Sequence, residues 1–195
     1  TAFFVDDKGH LITNYHVVKD AKDKLKIIYK NKEIKADVIA TDKQLDLALI
    51  KVDIKNKSYI IVSSKKPEKL QDIIASGYPG GKHLSDDLKF TSGIISSLKG
   101  LKDNTAHIQT DLALNPGNSG GPIVDKETGQ LVAVAVSGLR KDATEGINFG
   151  IKSSQVKDFL DSNRVKNSKW SLKRSIKRTE LLSILEESTV YIFFK

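Results

Sequence analysis

Short runs of apolar and β-branched residues, separated by turn residues, dominate the pattern along the chain. Turn-forming residues such as Asp7-Lys8-Gly9 and Asn31-Lys32 lie between the runs. Many short strands at near-regular spacing are typical of an all-β sandwich or barrel. The pattern predicts strands at residues 11–14, 25–29, 33–40, 45–52, 73–78, 88–98, 105–110, 131–137 and 147–151, with a further strand-like run at 1–5.

Two segments have the pattern of a helix. Ser153–Ser162 begins with a serine N-cap and places Val156, Phe159 and Leu160 on one face. Residues 180–187 follow Thr179 and repeat leucine and isoleucine at helical spacing. A polar stretch at 64–69 is the predicted seam between an N-terminal and a C-terminal half.

The composition is that of a folded domain. A chain of 195 residues can form one ordinary domain or two half-domains, and 39 % hydrophobic residues argue against disorder. Cysteine is absent, which excludes disulfides and thiolate metal sites. No apolar run approaches the ~20 residues that span a bilayer, so membrane insertion is not expected. The chain starts in a strand-like run without a signal-peptide pattern, so we expect a fragment or a mature form.

The net charge of +8 is concentrated near the C-terminus. Residues 1–163 carry 24 basic and 21 acidic side chains, whereas residues 164–195 carry 8 and 3. A nucleic-acid-binding body would show the opposite distribution. The basic stretch 164–178 has a single Trp170 and no interleaved aromatic platform, so we interpret it as a solvated linker and expect no nucleic-acid partner.

The strongest chemical signal is the glycine-rich segment 115–122, which carries Ser119. A serine flanked by glycines can occupy a tight, strained turn that exposes its hydroxyl. Because Gly117 has no side chain, the backbone N–H groups of Gly117 and Ser119 can converge and form an oxyanion hole. An equally good interpretation is that the loop has no chemical role and only reverses the direction of the chain. Ser119 is therefore a candidate nucleophile that requires a base.

Four histidines are candidates for that base. His16 follows an apolar strand and precedes a short helical turn, which gives it the rigid placement that a general base needs. A lone histidine is more often structural, so the assignment depends on the residues that accompany it. His10 follows a glycine turn, His83 lies in a polar loop and His107 alternates within a strand. We interpret these three as structural.

An aspartate is needed to hold the tautomer of the base. Asp46 begins an otherwise apolar strand, where a carboxylate would be partly buried and would need a partner such as His16 Nδ1. Asp42 is the alternative, but its polar surroundings beside Lys43 favour solvent exposure. We therefore predict Asp46.

Together these segments resemble the HtrA (DegP-like) branch of the trypsin-like peptidases. The resemblance lies in residues 13–18, 46–51, 108–111 running into 117–122, and 146–151, and it covers about residues 1–162. It implies an all-β fold of two antiparallel six-stranded β-barrels, with a catalytic triad between them and neither metal nor cofactor. By motif position the triad is His16, Asp46 and Ser119, and the oxyanion donors are Gly117 and Ser119.

The resemblance also implies a domain arrangement. We expect a protease domain at 1–162, with an N-terminal barrel at about 1–68 and a C-terminal barrel at about 69–162. A basic linker, a short helix and an apolar strand would follow at 163–195. About 33 residues after Ser162 cannot hold a PDZ domain, so none is expected in this chain. Gly150-Ile151-Lys152 replaces the usual Ala-Ile-Pro, which predicts a looser last barrel strand.

For substrates, the resemblance implies unfolded or flexible polypeptides and a periplasmic or secreted bacterial location. Ala135, Val136 and Ser137 would pair with the substrate backbone by β-augmentation. Ala113 and Leu114 lie in the segment that walls the S1 pocket of this fold, without a carboxylate, so a small or medium apolar residue is predicted before the scissile bond. Asn118 replaces the aspartate of digestive trypsins, so activation by N-terminal cleavage is not expected. A catalytically silent peptide-binding module is the alternative function.

The apolar run at 188–194 leaves two interpretations open. In HtrA-like chains a short helix and an apolar strand normally precede the segment that matches residues 1–5. Residues 189–194 could therefore supply that strand, either to their own barrel or to a neighbour's, which would give a homo-oligomer. The other interpretation, narrowly preferred on sequence, is a disordered tail or a truncated downstream domain. An exposed Tyr-Ile-Phe-Phe strand would favour aggregation, which argues that it is covered.

Overall fold

The computed structural model describes residues 1–80, 87–136, 147–167 and 175–194, whose strands form two closed six-stranded antiparallel barrels. This confirms the predicted fold class. The first barrel contains β1 (Ala2–Phe4), β2 (His10–Thr13), β3 (Lys26–Tyr29), β4 (Lys32–Asp42), β5 (Leu47–Val52) and β12 (Thr189–Phe193). The second contains β6 (Asp72–Gly77), β7 (Lys89–Ser97), β8 (His107–Thr110), β9 (Pro122–Asp125), β10 (Leu131–Val136) and β11 (Asn148–Lys152).

The described helices are few and short. They are α1 (Tyr15–Val18), α2 (Ser153–Ser162) and α3 (Arg178–Ser188), together with 3-10 turns at Lys22–Lys24 and Leu101–Asp103. The sequence located α2 and α3 closely. His83, Ser137 and Trp170 lie outside the described residues.

Alternation along the strands divides the apolar residues between two layers. Phe4 and Ile50 point into the first barrel, whereas their neighbours Phe3 and Leu49 pack in a different cluster. This follows because successive side chains of a strand face opposite sides of the sheet. A β-strand that is buried on both faces therefore has a continuous apolar sequence, as in the first four residues of β5.

The second layer is a shared core that joins the two barrels and both longer helices. Strands of each barrel contribute to it, and α2 and α3 cover it. Its fully buried members include Phe3, Val5, Ile12, Leu47, Leu49, Ile60, Val124, Leu131, Val134, Ile151, Val156, Leu160 and Leu185. This core fixes one barrel against the other and so positions the cleft between them.

The C-terminal strand closes the first barrel of its own molecule. β12 pairs antiparallel with β1, with Ala2 opposite Val190, and with β3 on its other side, with Ile27 opposite Ile192. Val190 and Ile192 are buried in the core of that barrel. The narrowly preferred interpretation of this segment as a tail was therefore wrong, because the apolar strand fills the gap between two barrel edges. The expected boundary at residue 162 does not separate this strand from the first barrel.

The four residues of β9 follow the glycine-rich segment and pair with β6 and β10. One further expectation differs in detail. The last barrel strand was expected to be loose, yet β11 pairs with β10 and β8 through four residues each. The Lys152 side chain also donates a hydrogen bond to the Thr105 carbonyl, at 2.6 Å.

Candidate active site

The His16 imidazole and the Asp46 carboxylate form a close pair at the edge of the first barrel. His16 Nδ1 lies 2.7 Å from Asp46 Oδ2, and the His16 backbone N–H donates to Asp46 Oδ1 at 2.9 Å. The two side chains are 42 % and 26 % exposed, so the pair is open to solvent on one side. Two bonds to one carboxylate fix the orientation of the ring.

The backbone of Asp46 is held by the residues just before His16. The Asp46 carbonyl accepts hydrogen bonds from the Asn14 side chain at 3.0 Å and from the Tyr15 N–H at 3.1 Å. Asp46 itself has a φ of +57°, a region that few non-glycine residues adopt. These contacts stabilise the strained turn that directs the carboxylate towards His16.

The Ser119 loop belongs to the second barrel and packs against the first. Gly117 has a φ of +102°, and a Cβ there would lie 2.3 Å from the Tyr78 carbonyl oxygen. Gly120 has a φ of +79°, and a Cβ there would lie 2.1 Å from Thr13 Oγ1. Only glycine fits these two positions, which flank Ser119. The close approach brings the serine, which is 6 % exposed, next to the end of β2.

Two further contacts fix the peptide units of this loop. The Thr1 hydroxyl donates to the Gly117 carbonyl and accepts from the Tyr78 N–H at 3.1 Å. The Gly80 N–H donates to the Pro116 carbonyl at 2.8 Å. Because both flanking carbonyls are engaged, the orientation of the Gly117 peptide units is defined.

His16 and Ser119 line one cleft of about 330 Å³. Its other walls come from both barrels and from β12. The lining residues are Thr1, His16, Val17, Tyr78, Pro116, Gly117, Ser119, Tyr191 and Ile192. The three residues predicted from sequence for the triad thus lie together, with Asp46 joined to the cleft through His16.

The competing histidines and aspartate have other surroundings. Asp42 Oδ1 accepts from the N–H groups of Gln44 and Leu45, as expected for a turn. His10 pairs with Asp6, whose Oδ1 accepts from the His10 N–H, in the turn before β2. This second pair is not among the residues lining the cleft.

His107 lies on β8 and is partly buried. Burial is the main reason that the pKa of its imidazole lies below the ordinary value of 6.5, while Asp46 raises that pKa and Lys152 lowers it. The lowered pKa favours a neutral ring within the second barrel. This placement agrees with the structural role that its strand pattern predicts.

The residues predicted to bind substrate agree less well with the structure than the residues predicted for the triad. Leu114 is 5 % exposed and packs in the core of the second barrel, whereas Ala113 is exposed. Neither is among the described residues lining the cleft around Ser119. Their role in binding substrate stays a prediction.

Ala135 requires a correction. Its N–H donates to the Gly121 carbonyl at 2.9 Å, and its carbonyl accepts from the Gly120 N–H at 3.0 Å. Both main-chain groups are thus used within the barrel, and the residue is 1 % exposed. Pairing with a substrate strand could begin only at the half-buried Val136, the last described residue of β10.

Sequence reasoning did not single out Asn14, Thr1, Tyr78 or Tyr191 for the site. Asn14 could have been noticed, because asparagine directly before a helical turn is a typical N-cap. In the structure Asn14 is at the N-cap position of α1, but its side chain makes no capping bond. The other three reach the cleft through long-range packing, which leaves no local pattern.

Among the described residues, no group of three or more histidine, aspartate or glutamate side chains could hold a metal ion. Within the same residues, no helix is long and apolar enough to cross a membrane.

Comparison with known proteins gives a consistent family. The family described as "Trypsin-like peptidase domain" matches residues 1–134. The probable periplasmic serine endoprotease DegP-like of Halomonas elongata is 31 % identical over 169 residues, which cover 84 % of this chain and 35 % of that protein. The serine protease Do-like HtrA of Bacillus subtilis is 34 % identical over 164 residues, covering 79 % of this chain and 36 % of that protein.

A solved structure extends the likeness to the fold. The crystal structure of the serine endoprotease from Yersinia pestis superposes with a TM-score of 0.71 at 29 % identity, covering 83 % of this chain and 56 % of that one. The chain thus spans little more than a third of the length of the two curated relatives.

Proposed function

Because this chain belongs to the trypsin-like peptidase family, we propose that it is a serine endopeptidase that cleaves polypeptides through an acyl-enzyme intermediate. The observation that carries the proposal is the 2.7 Å contact between His16 Nδ1 and Asp46 Oδ2 in a cleft that Ser119 also lines. A nucleophile, a base and a residue that orients the base are the minimum for this chemistry.

In the first step, Ser119 Oγ attacks the carbonyl carbon of the scissile peptide bond. His16 Nδ1 donates to Asp46, which leaves Nε2 with a lone pair to accept the serine proton. Asp46 remains ionised and stabilises the imidazolium that forms. His16 then gives the proton to the leaving amine, and a water molecule hydrolyses the acyl-enzyme by the same route.

The oxyanion of the tetrahedral intermediate would be bound by the N–H groups of Gly117 and Ser119. The bonds from Thr1 to the Gly117 carbonyl and from Gly80 to the Pro116 carbonyl support this role, because they hold the surrounding peptide units. Preorganised donors of this kind need no rearrangement as charge develops, and one donor contributes about 10²–10³ in rate.

The substrate class is proposed from the open cleft and from relatives that are named serine proteases. We propose unfolded or flexible polypeptides, and we keep the expectation from the sequence of a small or medium apolar residue before the scissile bond. An extended segment can enter an exposed cleft, whereas a folded protein presents few such segments. Pairing of the substrate backbone beyond Val136 would give the remaining affinity.

The test is hydrolysis of an unfolded casein-like substrate by the wild type and by Ser119→Ala. Ser119→Ala is expected to remove cleavage while changing the free energy of unfolding by no more than about 1 kcal/mol, because it deletes one hydroxyl. Ser96→Ala, at an exposed position of β7, is the control and keeps activity. Cleavage by Ser119→Ala at the wild-type rate would show that Ser119 is not the nucleophile. A wild type that binds peptides without cutting them would establish the silent module instead.

A further inference from the structure

A second groove adjoins the cleft and is larger than it, with a volume of about 700 Å³. The two spaces share Tyr78 and Tyr191 as lining residues. The groove is built from the β3–β4 turn, the end of α3 and the beginning of β12. Its lining residues are Ile28, Tyr29, Lys30, Asn31, Glu33, Tyr78, Glu186, Glu187, Thr189, Val190 and Tyr191.

Aromatic rings form the wall that leads from the cleft into the groove. The Tyr191 ring packs edge-on against Tyr78 and stacks on Phe193, each with ring centroids 5.8 Å apart. All three side chains are half-buried, so one part of each is fixed by packing while another part faces solvent. Such a surface can bind apolar side-chain stems and can attract cations over the ring faces.

Two carboxylates lie on the rim of the groove at the C-terminal end of α3, where they do not stabilise the helix. Glu186 and Glu187 are exposed and lie in the last turn of α3, and that turn contains no basic residue. Negative charge at a helix C-terminus is unfavourable because of the helix dipole. Neither forms an ion pair with a described residue, although Glu187 Oε1 accepts from the Ser183 hydroxyl at 3.1 Å. The stability of α3 therefore does not explain these residues.

The other charged groups of the groove leave its rim negative. Glu33 is paired with Lys26 at 2.9 Å, and Lys30 lies 5.2 Å above the Tyr29 ring centroid. With Glu33 neutralised in this way, two glutamates face one lysine. A negative rim on a chain of net charge +8 is a local feature, and it selects positively charged ligands.

We propose that this groove is a subsite for the part of the substrate that follows the scissile bond, and that it favours Lys or Arg there. The aliphatic stem would lie along Tyr78 and Tyr191, with the charged head near Glu186 and Glu187. Strand β10, which is expected to hold the residues before the scissile bond, contributes nothing to the groove lining. This inference rests on the proposed function, since the cleft must bind a polypeptide.

The test uses internally quenched peptides that share valine before the scissile bond and all preceding residues. They differ by Arg, Gln or Glu at one of the second to fourth positions after that bond. For the wild type we expect kcat/KM to fall from Arg to Gln to Glu, by about tenfold overall at low salt at the best position. Added salt is expected to reduce this preference, because both glutamates are exposed.

The Glu186→Gln/Glu187→Gln double variant should lose the preference, so that the Arg, Gln and Glu peptides are cleaved at similar rates. Its thermal stability should be unchanged or slightly higher, because two acids leave a helix C-terminus. The matched control is Glu68→Gln/Glu127→Gln, which makes the same change in net charge at another cavity. This control should retain the preference for Arg.

Equal cleavage of the three peptides by wild-type protein would overturn the inference and leave the proposed function intact. A preference that survives in the double variant would do the same. If no peptide is cleaved, the proposed function is wrong. The preference of the groove for Arg is then tested by measuring how tightly the fluorescent peptides bind to the Ser119→Ala protein. Stronger binding of Arg peptides that depends on Glu186 and Glu187 would support the groove, and equal binding would overturn it.

Discussion

At the scale of single residues, Asn14 connects the packing of the first barrel to the geometry of the site. Its side chain is fully buried, and Nδ2 donates to the Asp46 carbonyl while Oδ1 has no described hydrogen-bond partner. A buried polar atom without a partner costs free energy. The residue is therefore better explained by the positioning of Asp46 than by stability.

Replacing Asn14 with alanine is expected to lower kcat by about 10- to 10²-fold with a smaller change in KM, because Asp46 and His16 lose their alignment. Steady-state kinetics with a fixed peptide would measure this. Asn56→Ala is the matched control, because Asn56 is also buried, donates to the Asp6 and Ser58 carbonyls and has an Oδ1 without a described partner. It should lower stability but not kcat. Equal kinetic losses in both variants would remove the positioning role.

His107 gives a prediction for stability rather than for catalysis. The pKa of its imidazole is lowered in the folded state, chiefly by burial, so the unfolded chain binds a proton first as the pH falls. The free energy of unfolding should therefore decrease as the pH drops below 6.5. Chemical denaturation at several pH values should show a smaller decrease in His107→Gln. An identical slope would contradict this prediction. For Asp125, burial raises the pKa, but hydrogen bonds from Gln71, Thr128 and the Glu127 N–H together hold it below 3.8, so its contribution to stability is lost only in strong acid.

At the scale of elements, α3 and β12 belong to the architecture rather than to an appendage. Leu181 and Leu185 of α3 enter the shared core, and the following strand completes the first barrel. At the junction, Thr189 Oγ1 lies 2.8 Å from Ser76 Oγ of β6. The helix and strand thus contact both barrels.

Leu185→Ala should lower the free energy of unfolding by about 2–5 kcal/mol. The Leu185 side chain is only 1 % exposed, so its removal leaves a cavity in the shared core. Leu182→Ala, on the same helix and 43 % exposed, should change it by less than about 0.5 kcal/mol. Urea denaturation of the two variants measures the difference. Equal, small effects would mean that α3 is not docked in solution.

Sequence patterns predicted most strands because alternation and turn residues are local properties. The strand at 45–52 and the helix Ser153–Ser162 needed no knowledge of distant contacts. The role of 189–193 was left open, since β12 is defined only by its pairing with strands more than 150 residues away. Ala135 was misassigned for the same reason. An apolar strand looks alike whether its hydrogen bonds face a neighbour or a substrate.

At the scale of the whole molecule, the proposed function depends on how the two barrels meet. His16 and Asp46 come from the first barrel and Ser119 from the second, and the glycines at 117 and 120 allow the close approach. The shared core sets this approach. The residues proposed for the triad could be singled out from the sequence because each lies in a distinctive local segment, whereas most residues lining the cleft could not.

Cleavage of a denatured proteome should show valine, alanine, leucine or isoleucine before the scissile bond. The segment 112–114, which the family resemblance assigns to the pocket wall, carries no carboxylate. Burial of a Lys or Arg there without a partner would be strongly unfavourable. Sequencing of the new termini by mass spectrometry gives the profile, with Ser119→Ala as the background. Dominant cleavage after Lys or Arg would require a different pocket.

The most direct test of the account is labelling by a fluorophosphonate probe, which reacts only with an activated serine. We predict one labelled residue, Ser119, and no label in Ser119→Ala. His16→Ala should slow labelling by about 10³-fold or more, because the triad members act as a unit. His10→Ala, which removes the histidine of the other His–Asp pair, should label at close to the wild-type rate. An unlabelled wild type, or labelling of Ser119 that does not depend on His16, would contradict the account.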